Sequence, residues 1–446
     1  MSGIYMAAII FIAVVAMIIA ISKYKQHPFL VMILVSIFVG AASGMPIAKI
    51  VSTIKNGFGG ILSSIGIVIV AGTIIGTILE KTGAALVMAN TILKIVGKAR
   101  SVATMAITGY ITGIPVFCDS GFVILSPIAR ALADRSKLSL AVMGTALSSG
   151  LYATHCLVPP TPGPIAMAGT LHADLGLVIM VGLVVSIPAT ISGLIYAKKV
   201  ASKFDIPANP EFTVEELMEK YGKLPGVVHS FAPILLPIIL IAIKSVADFP
   251  SKPFGAGAVR DFASFIGDPV IALILGIFLA MSLIPESEKD NVFAWMSDGV
   301  QNSASILVIT GAGGSFGAIL KTLPLAESLS SALLSLSVGV FLPFIISALL
   351  KTAMGASTVA MIVTSAMVAP LMPSLGFESE MGKALVIMAI GAGSMCVSHA
   401  NDSYFWVVSQ FSDMDTNIAY KCQTGVTLVE GLVTVTFVYI LSLIFC

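Results

Sequence analysis

The sequence predicts an all-α polytopic membrane protein built from two inverted repeats, each holding a re-entrant hairpin and a broken helix. Three observations predict it. The 446-residue chain is 57% hydrophobic and 11% charged, with a mean hydropathy of +1.02. A water-soluble protein of this length needs more polar surface to cover its core. Apolar runs also recur at the length a bilayer demands, about 20 residues. Finally, polar clusters interrupt those runs in the same order in each half: FCDSGF (117–122) then THCLVPPTPGP (154–164), and KTAMGASTVA (351–360) then SHANDSYFW (398–406). Hydrocarbon tolerates such groups only where they line a cavity or bind something. Paired clusters of this kind point to a transporter with a central site at a repeat interface.

The predicted spans, in order, are 4–21, 28–46, 61–79, 102–117, 138–154, 175–197, 231–244, 269–285, 304–320, 338–350, 382–397 and 424–445. The first has neither a basic segment before it nor a small-residue cleavage site, so it reads as a span rather than a signal. The runs 122–132 and 358–372 are too short or too broken to cross, and each follows a polar cluster directly. They suit the returning arm of a re-entrant hairpin. The long hydrophilic stretch 198–230 contains FTVEELMEKYG, read as a surface helix between the halves. Its lysines, with Lys23, Lys25, Arg130, Arg135 and Lys137, assign those loops to the cytoplasm and the N-terminus to the outside. The resulting plan is N-terminal scaffold spans (1–60), a first repeat (61–197), a cytoplasmic linker (198–230), scaffold spans opening the second half (231–302) and a second repeat (303–446).

The repeat has three ordered landmarks. GTILEKTG at Gly76 and GAILKTLP at Gly317 are 241 residues apart, Ser120 and Ser357 are 237 apart, and His155 and His399 are 244 apart. Gly72, Gly76, Gly311, Gly313, Gly314 and Gly317 form small-residue stripes that favour close helix contact.

The clusters carry the chemistry. Asp119, Ser120 and Gly121 stand at a predicted hairpin tip, where free N–H groups and the positive end of a helix favour an anion. Asp119 reads either as a proton-carrying or substrate-contacting acid or as a plain helix cap. The second tip offers Gly355, Ser357 and Thr358. Lys351, a turn earlier, either attracts a carboxylate or snorkels to the surface. Four prolines between Pro159 and Pro164 cannot continue a helix, so His155, Thr161 and Gly163 flank or fill a mid-membrane break. His399, Asn401 and Asp402 make the counterpart break. Asn401 and the Thr161 region suit hydroxyl recognition, and His155 and His399 titrate near neutrality. The candidate substrate-binding set is therefore Asp119, Ser120, Gly121, His155, Thr161, Gly163, Gly355, Ser357, Thr358, His399, Asn401 and Asp402. The proton-coupling candidates within it are Asp119, His155, His399 and Asp402. Glu430, a lone acid in the last span, reads as an inward-facing structural hydrogen bond.

Other classes are disfavoured. A net charge of +1 argues against a nucleic-acid partner. Five cysteines without CxxC spacing give no metal or disulfide framework, and no cofactor is expected. An intramembrane enzyme using His155, His399 and Asp402 would lack the HExxH or GxSxG companions of such sites.

GIPVFCDSGFVILSPIARALA from Gly113, HCLVPPTPGP from His155, GAGGSFGAIL from Gly311, GASTVAMIV from Gly355 and SHANDSYFW from Ser398 closely resemble the gluconate permease family, over nearly the whole chain. The resemblance implies membership of a wider ion-transporter superfamily. It implies a multi-pass cell (inner) membrane symporter of gluconate or a related small hydroxy-acid anion, coupled to protons, with sodium as the other option. It also implies a homodimer and an elevator-like movement. A passive anion channel or a cation/proton antiporter of the same superfamily is the alternative. Many family members have HPGP where this chain has Thr161-Pro162-Gly163-Pro164, and Arg in place of Lys351. Arg clamps a carboxylate bidentately and Lys does not.

Overall fold

The computed structural model describes residues 3–97, 100–208, 224–248, 254, 257–323 and 339–446. The expected surface helix FTVEELMEKYG lies outside the described residues. Everything regular that is described is helical. The first half contains α1 (Gly3–Ser22), α2 (Pro28–Ala42), α3 (Ile47–Lys81), α4 (Ala84–Val96), α5 (Ser101–Thr112), α6 (Cys118–Ser136), α7 (Leu140–Leu157), α8 (Pro162–Thr170) and α9 (Leu175–Lys199). The second contains α10 (Val227–Ala247), α11 (Ala258–Ile266), α12 (Pro269–Met281), α13 (Val292–Lys321), α14 (Phe341–Met354), α15 (Ser357–Val368), α16 (Glu380–Met395), α17 (Ser403–Phe411) and α18 (Gly425–Phe445). Among the described residues six helices are long and apolar enough to cross a membrane, and α11 with α12 forms a pair bent by 59° that would make a seventh.

Two long helices form the frame. At 35 and 30 residues, α3 and α13 exceed the roughly 30 Å hydrocarbon thickness at 1.5 Å per residue. They run antiparallel, with Lys81 near the end of α3 paired to Asp298 near the start of α13 at 2.6 Å. The glycine stripe explains their closeness. A Cβ on Gly57 would stand 2.5 Å from the Gly314 carbonyl oxygen, and one on Gly314 would stand 2.5 Å from that of Gly57. Backbone therefore meets backbone, with no side chain between.

Within that frame each half repeats one motif, a hairpin of short helices followed by an interrupted helix. The α5–α6 hairpin turns at residues 113–117 and the α14–α15 hairpin at 355–356. Arms of 12 and 14 residues (α5, α14) are about 18–21 Å long, too short to cross, whereas α15 continues through two short turns to Leu375. The interrupted helices are α7–α8, broken at 158–161, and α16–α17, broken at 396–402.

The two hairpins open at opposite ends of α9. At the α9 C-terminal end, Ser101 and Ser136 close the mouth of the first hairpin at 2.5 Å. Ser139, just past α6, donates to the Phe204 carbonyl at 2.6 Å. At the α9 N-terminal end, Ala369, just past α15, lines a cleft with His172 and Lys321. The Lys383 ammonium of α16 donates to the His172 carbonyl there at 3.1 Å. The repeats are thus inverted relative to one another, as the sequence predicts. Arg130, Arg135, Lys137, Lys198 and Lys199 gather at the C-terminal end of α9, the face expected to be cytoplasmic.

Gly314→Ala should lower the melting temperature of the detergent-purified protein, with a loss of about 1–3 kcal/mol, because a carbonyl rather than a flexible side chain blocks the added methyl. Gly60→Ala, on the same helix as Gly57 but with open space around its Cβ position, should leave melting unchanged or raise it. Equal effects of the two would reject the close crossing.

Candidate functional site

The second hairpin tip and the second helix break meet at one buried cation, which also faces α7 of the first repeat. Lys351 is fully buried near the end of α14. Its ammonium pairs with Asp402 Oδ2 at 2.6 Å and also donates to the Gly355 carbonyl. It stands 5.8 Å from the centre of the Tyr152 ring, within cation–π range. Lys351 neither snorkels nor waits unpaired for a ligand, because its charge is already matched.

Asp402 joins three elements. Its Oδ1 caps α17 by accepting from the Tyr404 N–H at 3.1 Å. Its Oδ2 accepts from Lys351, from Ser398 Oγ at 2.5 Å and from Tyr152 OH at 3.5 Å. The Tyr152 hydroxyl also meets Ser357 Oγ, the first residue of α15, at 2.6 Å. Gly355 has φ +81°, and a Cβ there would stand 2.2 Å from the Asn401 carbonyl oxygen. Both conformation and space therefore require glycine at this tip.

The remaining predicted residues divide by location. Asp119 is the second residue of α6, with Phe117 at the cap position, so it is not the helix cap. Its carboxylate accepts from Ser403 Oγ at 3.3 Å, linking the first tip to the start of α17. Ser120 instead faces Glu80 of α3. Gly121 lies against Leu151. His155 is buried in the last turn of α7, parallel to the Tyr152 ring at 6.4 Å, with Nδ1 unpartnered. His399 lies in the second break, where its Nε2 meets the Thr352 carbonyl at 2.9 Å. The two histidines are thus not equivalent in position, since one is helical and the other is in a break. Asn401 donates to the Thr352 and Ala353 carbonyls at 2.9 and 3.3 Å, satisfying the frayed end of α14. Its Oδ1 is buried without a partner. Thr161 donates to the Val158 carbonyl at 2.6 Å within its own break. Gly163 lets α8 touch Met361 of α15. Thr358 is half-buried beside Ser357.

Sequence reasoning missed Tyr152, Ser398, Tyr404, Ser148 and Gln423. Tyr404 donates to the Ser148 carbonyl at 3.2 Å, and Ser148 Oγ donates to Gln423 Oε1 at 2.7 Å. One signal was available: Ser148, Tyr152 and His155 recur at i, i+4 and i+7, a polar face on an otherwise apolar helix. Gln423 lies in a π-helical turn at Tyr420–Thr424, a distortion common at functional sites.

Away from this centre, a cleft of about 290 Å³ at the α9 N-terminal end is lined by His172, Asp174, Lys244 and Asp268. Partial burial, with Lys321 and Lys383 nearby, holds the His172 pKa below its ordinary value.

Apolar spans, inverted hairpins and broken helices meeting at a polar centre define a multi-pass membrane transporter rather than an enzyme. The model of the GntP family permeases matches residues 5–444. The chain is 32% identical to a gluconate permease of Pseudomonas aeruginosa, covering 97% of this chain and 96% of that protein. It is 31% identical to the D-serine transporter DsdX of Escherichia coli, over 99% of each. Its fold matches the crystal structure of the YdaH transporter of Alcanivorax borkumensis with a TM-score of 0.68, at 16% identity, over 94% of this chain and 99% of that one. The chain belongs to the GntP permease family.

Lys351→Met alone strands a buried carboxylate and should cost about 3–5 kcal/mol. Adding Asp402→Asn should restore most of that loss in thermal melting. A double variant no more stable than the single one would show that the pair is not the dominant contact.

Proposed function

We propose that this permease imports gluconate or a related short hydroxy-acid anion by proton symport, using the Lys351–Asp402 pair as the coupling element. The observation that carries this reading is the buried ammonium shared between Asp402 and the Gly355 carbonyl at the second hairpin tip. Relatives named for gluconate and for D-serine suggest a cargo with a carboxylate next to a carbon bearing a hydroxyl or amino group.

The charges make the coupling explicit. The centre holds one cation, Lys351, and two carboxyls, Asp402 and Asp119. An anionic cargo meets unfavourable charge unless a proton enters with it. A proton on Asp402 would neutralise Lys351's partner and release the ammonium to the cargo carboxylate. Proton and anion then each favour the other's binding, which is what symport requires. Ser357 and Tyr152 flank the released ammonium and can donate to the cargo carboxylate. Asn401 Oδ1, His155 Nδ1 and the backbone around Thr161 and Gly163 offer polar groups for its hydroxyls. Asp119 and Ser403 would close the far side, with Ser120, Gly121, Thr358 and His399 shaping the tips around it. Elevator-like movement of the hairpin-bearing body against α3 and α13 fits the inverted hairpins, and a homodimer rests on the family resemblance alone.

The test is uptake of labelled gluconate into proteoliposomes under an imposed proton gradient, with D-glycerate and D-serine as competitors. Concentrative uptake abolished by a protonophore is expected. Equilibration without concentration would assign a channel instead, and dependence on sodium alone would replace the proton. Asp402→Asn should bind gluconate yet fail to concentrate it. Proton-driven accumulation at the wild-type level in that variant would reject Asp402 as the coupling acid. Asp119→Asn is expected to reduce or uncouple uptake, and wild-type accumulation there would remove Asp119 from the site.

A further inference from the structure

The α9 N-terminal end, opposite the face expected to be cytoplasmic, carries a second polar feature. A cleft of about 170 Å³ there separates the frame helices α3 and α13 from α8 and the turn after α15. Glycine makes the room: Gly57, Gly60, Gly314 and Gly317 line it, and the Cβ position of Gly60 faces open space. Among the described residues His172 and Lys321 are its only titratable side chains, and no carboxylate lines it. The carboxylates nearby are committed elsewhere. Asp268 pairs with Lys244 at 2.9 Å and Glu380 with Lys383 at 2.7 Å, while Asp174 Oδ1 accepts from the Leu177 N–H and from Ser245 Oγ, both at 2.7 Å. The Lys321 ammonium meets His172 Nε2 at 3.5 Å and has no carboxylate partner among the described residues. The lowered His172 pKa, owed first to burial and then to Lys321 and Lys383, records a positive local field. Asn56 and Ser64 of α3 add an exposed amide and an exposed hydroxyl to the wall, about 12 Å apart along the helix.

The cleft ends at a wall. It shares Ser64, Gly169 and His172 with the 290 Å³ cleft beside it, which reaches down α3 to Val68. Below that, Val68, Ile75, Pro115, Pro159 and Pro160 surround a void of only about 20 Å³. A Cβ on Gly72 would stand 3.1 Å from the Pro160 carbonyl oxygen, and one on Gly76 would stand 2.5 Å from that of Pro115. The helix α3 thus lies directly on the first break and the first tip. An anion in the cleft is held outside that wall.

We propose that this cleft is a recruitment site for the cargo, where a small hydroxy-acid anion docks its carboxylate on the Lys321 ammonium and its hydroxyls on Asn56 and the His172 ring. A cleft of one charge sign with low-dielectric walls concentrates counter-ions and speeds their capture. The inference rests on the cargo reading above, and the experiment separates the two.

Ser64→Cys places a reporter thiol in the cleft of the detergent-purified protein, read at position 64 by mass spectrometry. Corrected for their rates with a free thiol, a sulfonate-bearing reagent should modify it about threefold faster than a quaternary-ammonium one. Lys321→Met should erase that preference and Lys321→Arg should keep it. Gluconate and D-glycerate should protect the thiol, and neutral glycerol should not. In proteoliposomes K321M should raise the gluconate KM about fivefold at low salt, change the maximal rate far less, and lose most of that effect in about 0.5 M salt. Gly60→Leu, which fills the cleft without removing a charge, should raise the KM as well. A missing charge preference, a preference that survives K321M, or failure of both acids to protect overturns the proposal. Equal protection by inorganic phosphate also overturns it, since that describes a general anion site. Should S64C fold poorly, the kinetics of K321M and G60L decide, and a wild-type KM in both overturns the proposal. Protection without uptake of gluconate keeps the cleft as a hydroxy-acid site and overturns the cargo reading instead.

Discussion

A primary ammonium buried at the depth of the hydrocarbon must have its charge met by protein, because neither water nor lipid can meet it. Lys351 forces that condition on its surroundings. Asp402 supplies the opposite charge, and to be in place it must sit at the start of α17, after a break. The break in turn exposes backbone, which Ser398, Thr424 and Thr427 satisfy. Thr424 Oγ1 donates to the Ser398 carbonyl at 2.5 Å, so α18 is tied into the same knot. The second hairpin tip, the second broken helix and the last helix are therefore organised around one ion pair. Tyr152 extends that organisation to the first repeat by touching both Asp402 and Ser357.

The frame answers a different demand. A site at mid-membrane needs helices that stop halfway, and such helices need rigid neighbours to hold them. The helices α3 and α13 provide length and a backbone-to-backbone crossing at Gly57 and Gly314. Elsewhere the same use of glycine recurs. A Cβ on Gly109 of α5 would stand 2.4 Å from the Leu147 carbonyl oxygen, and one on Gly150 of α7 would stand 2.1 Å from that of Ala106, which seats the first hairpin against its broken helix. Glycine is costly in isolated helices, yet here it is what lets short helices lie close enough to share a small polar centre.

Much of this was legible in the sequence because the bilayer simplifies the reading. Long apolar runs marked the helices, although the runs 102–117 and 338–350, read as spans, fall on the short first arms of the hairpins, and the proline run after Val158 and the Asn-Asp pair after His399 gave both breaks. Ser357 and Asp402 were legible as candidate-site residues because hydroxyls and acids are conspicuous in apolar surroundings. Tyr152 and Tyr404 were not, since an aromatic ring in an apolar helix reads as core until its hydroxyl is seen to reach a partner. The fate of Lys351 was equally hidden: its acceptor lies 51 residues away, and only folding decides between snorkelling and pairing. His155 and His399 misled for a simpler reason. Their letters match but their positions do not, since the ends of α7 and α16 fall at Leu157 and Met395 and align the breaks instead.

The Lys351–Asp402 pair has an electrical consequence. Joined, the two side chains sum to no net charge. With Asp402 protonated and a monocarboxylate beside the ammonium, the sum is again zero. Moving one elementary charge through a membrane potential of 100 mV takes about 2.3 kcal/mol. A body carrying this pair, empty or filled, would do no such work on account of it. In the proposed symport, the pair itself would therefore draw nothing from the membrane voltage, and any electrical work at the centre would fall on the remaining carboxyl, Asp119.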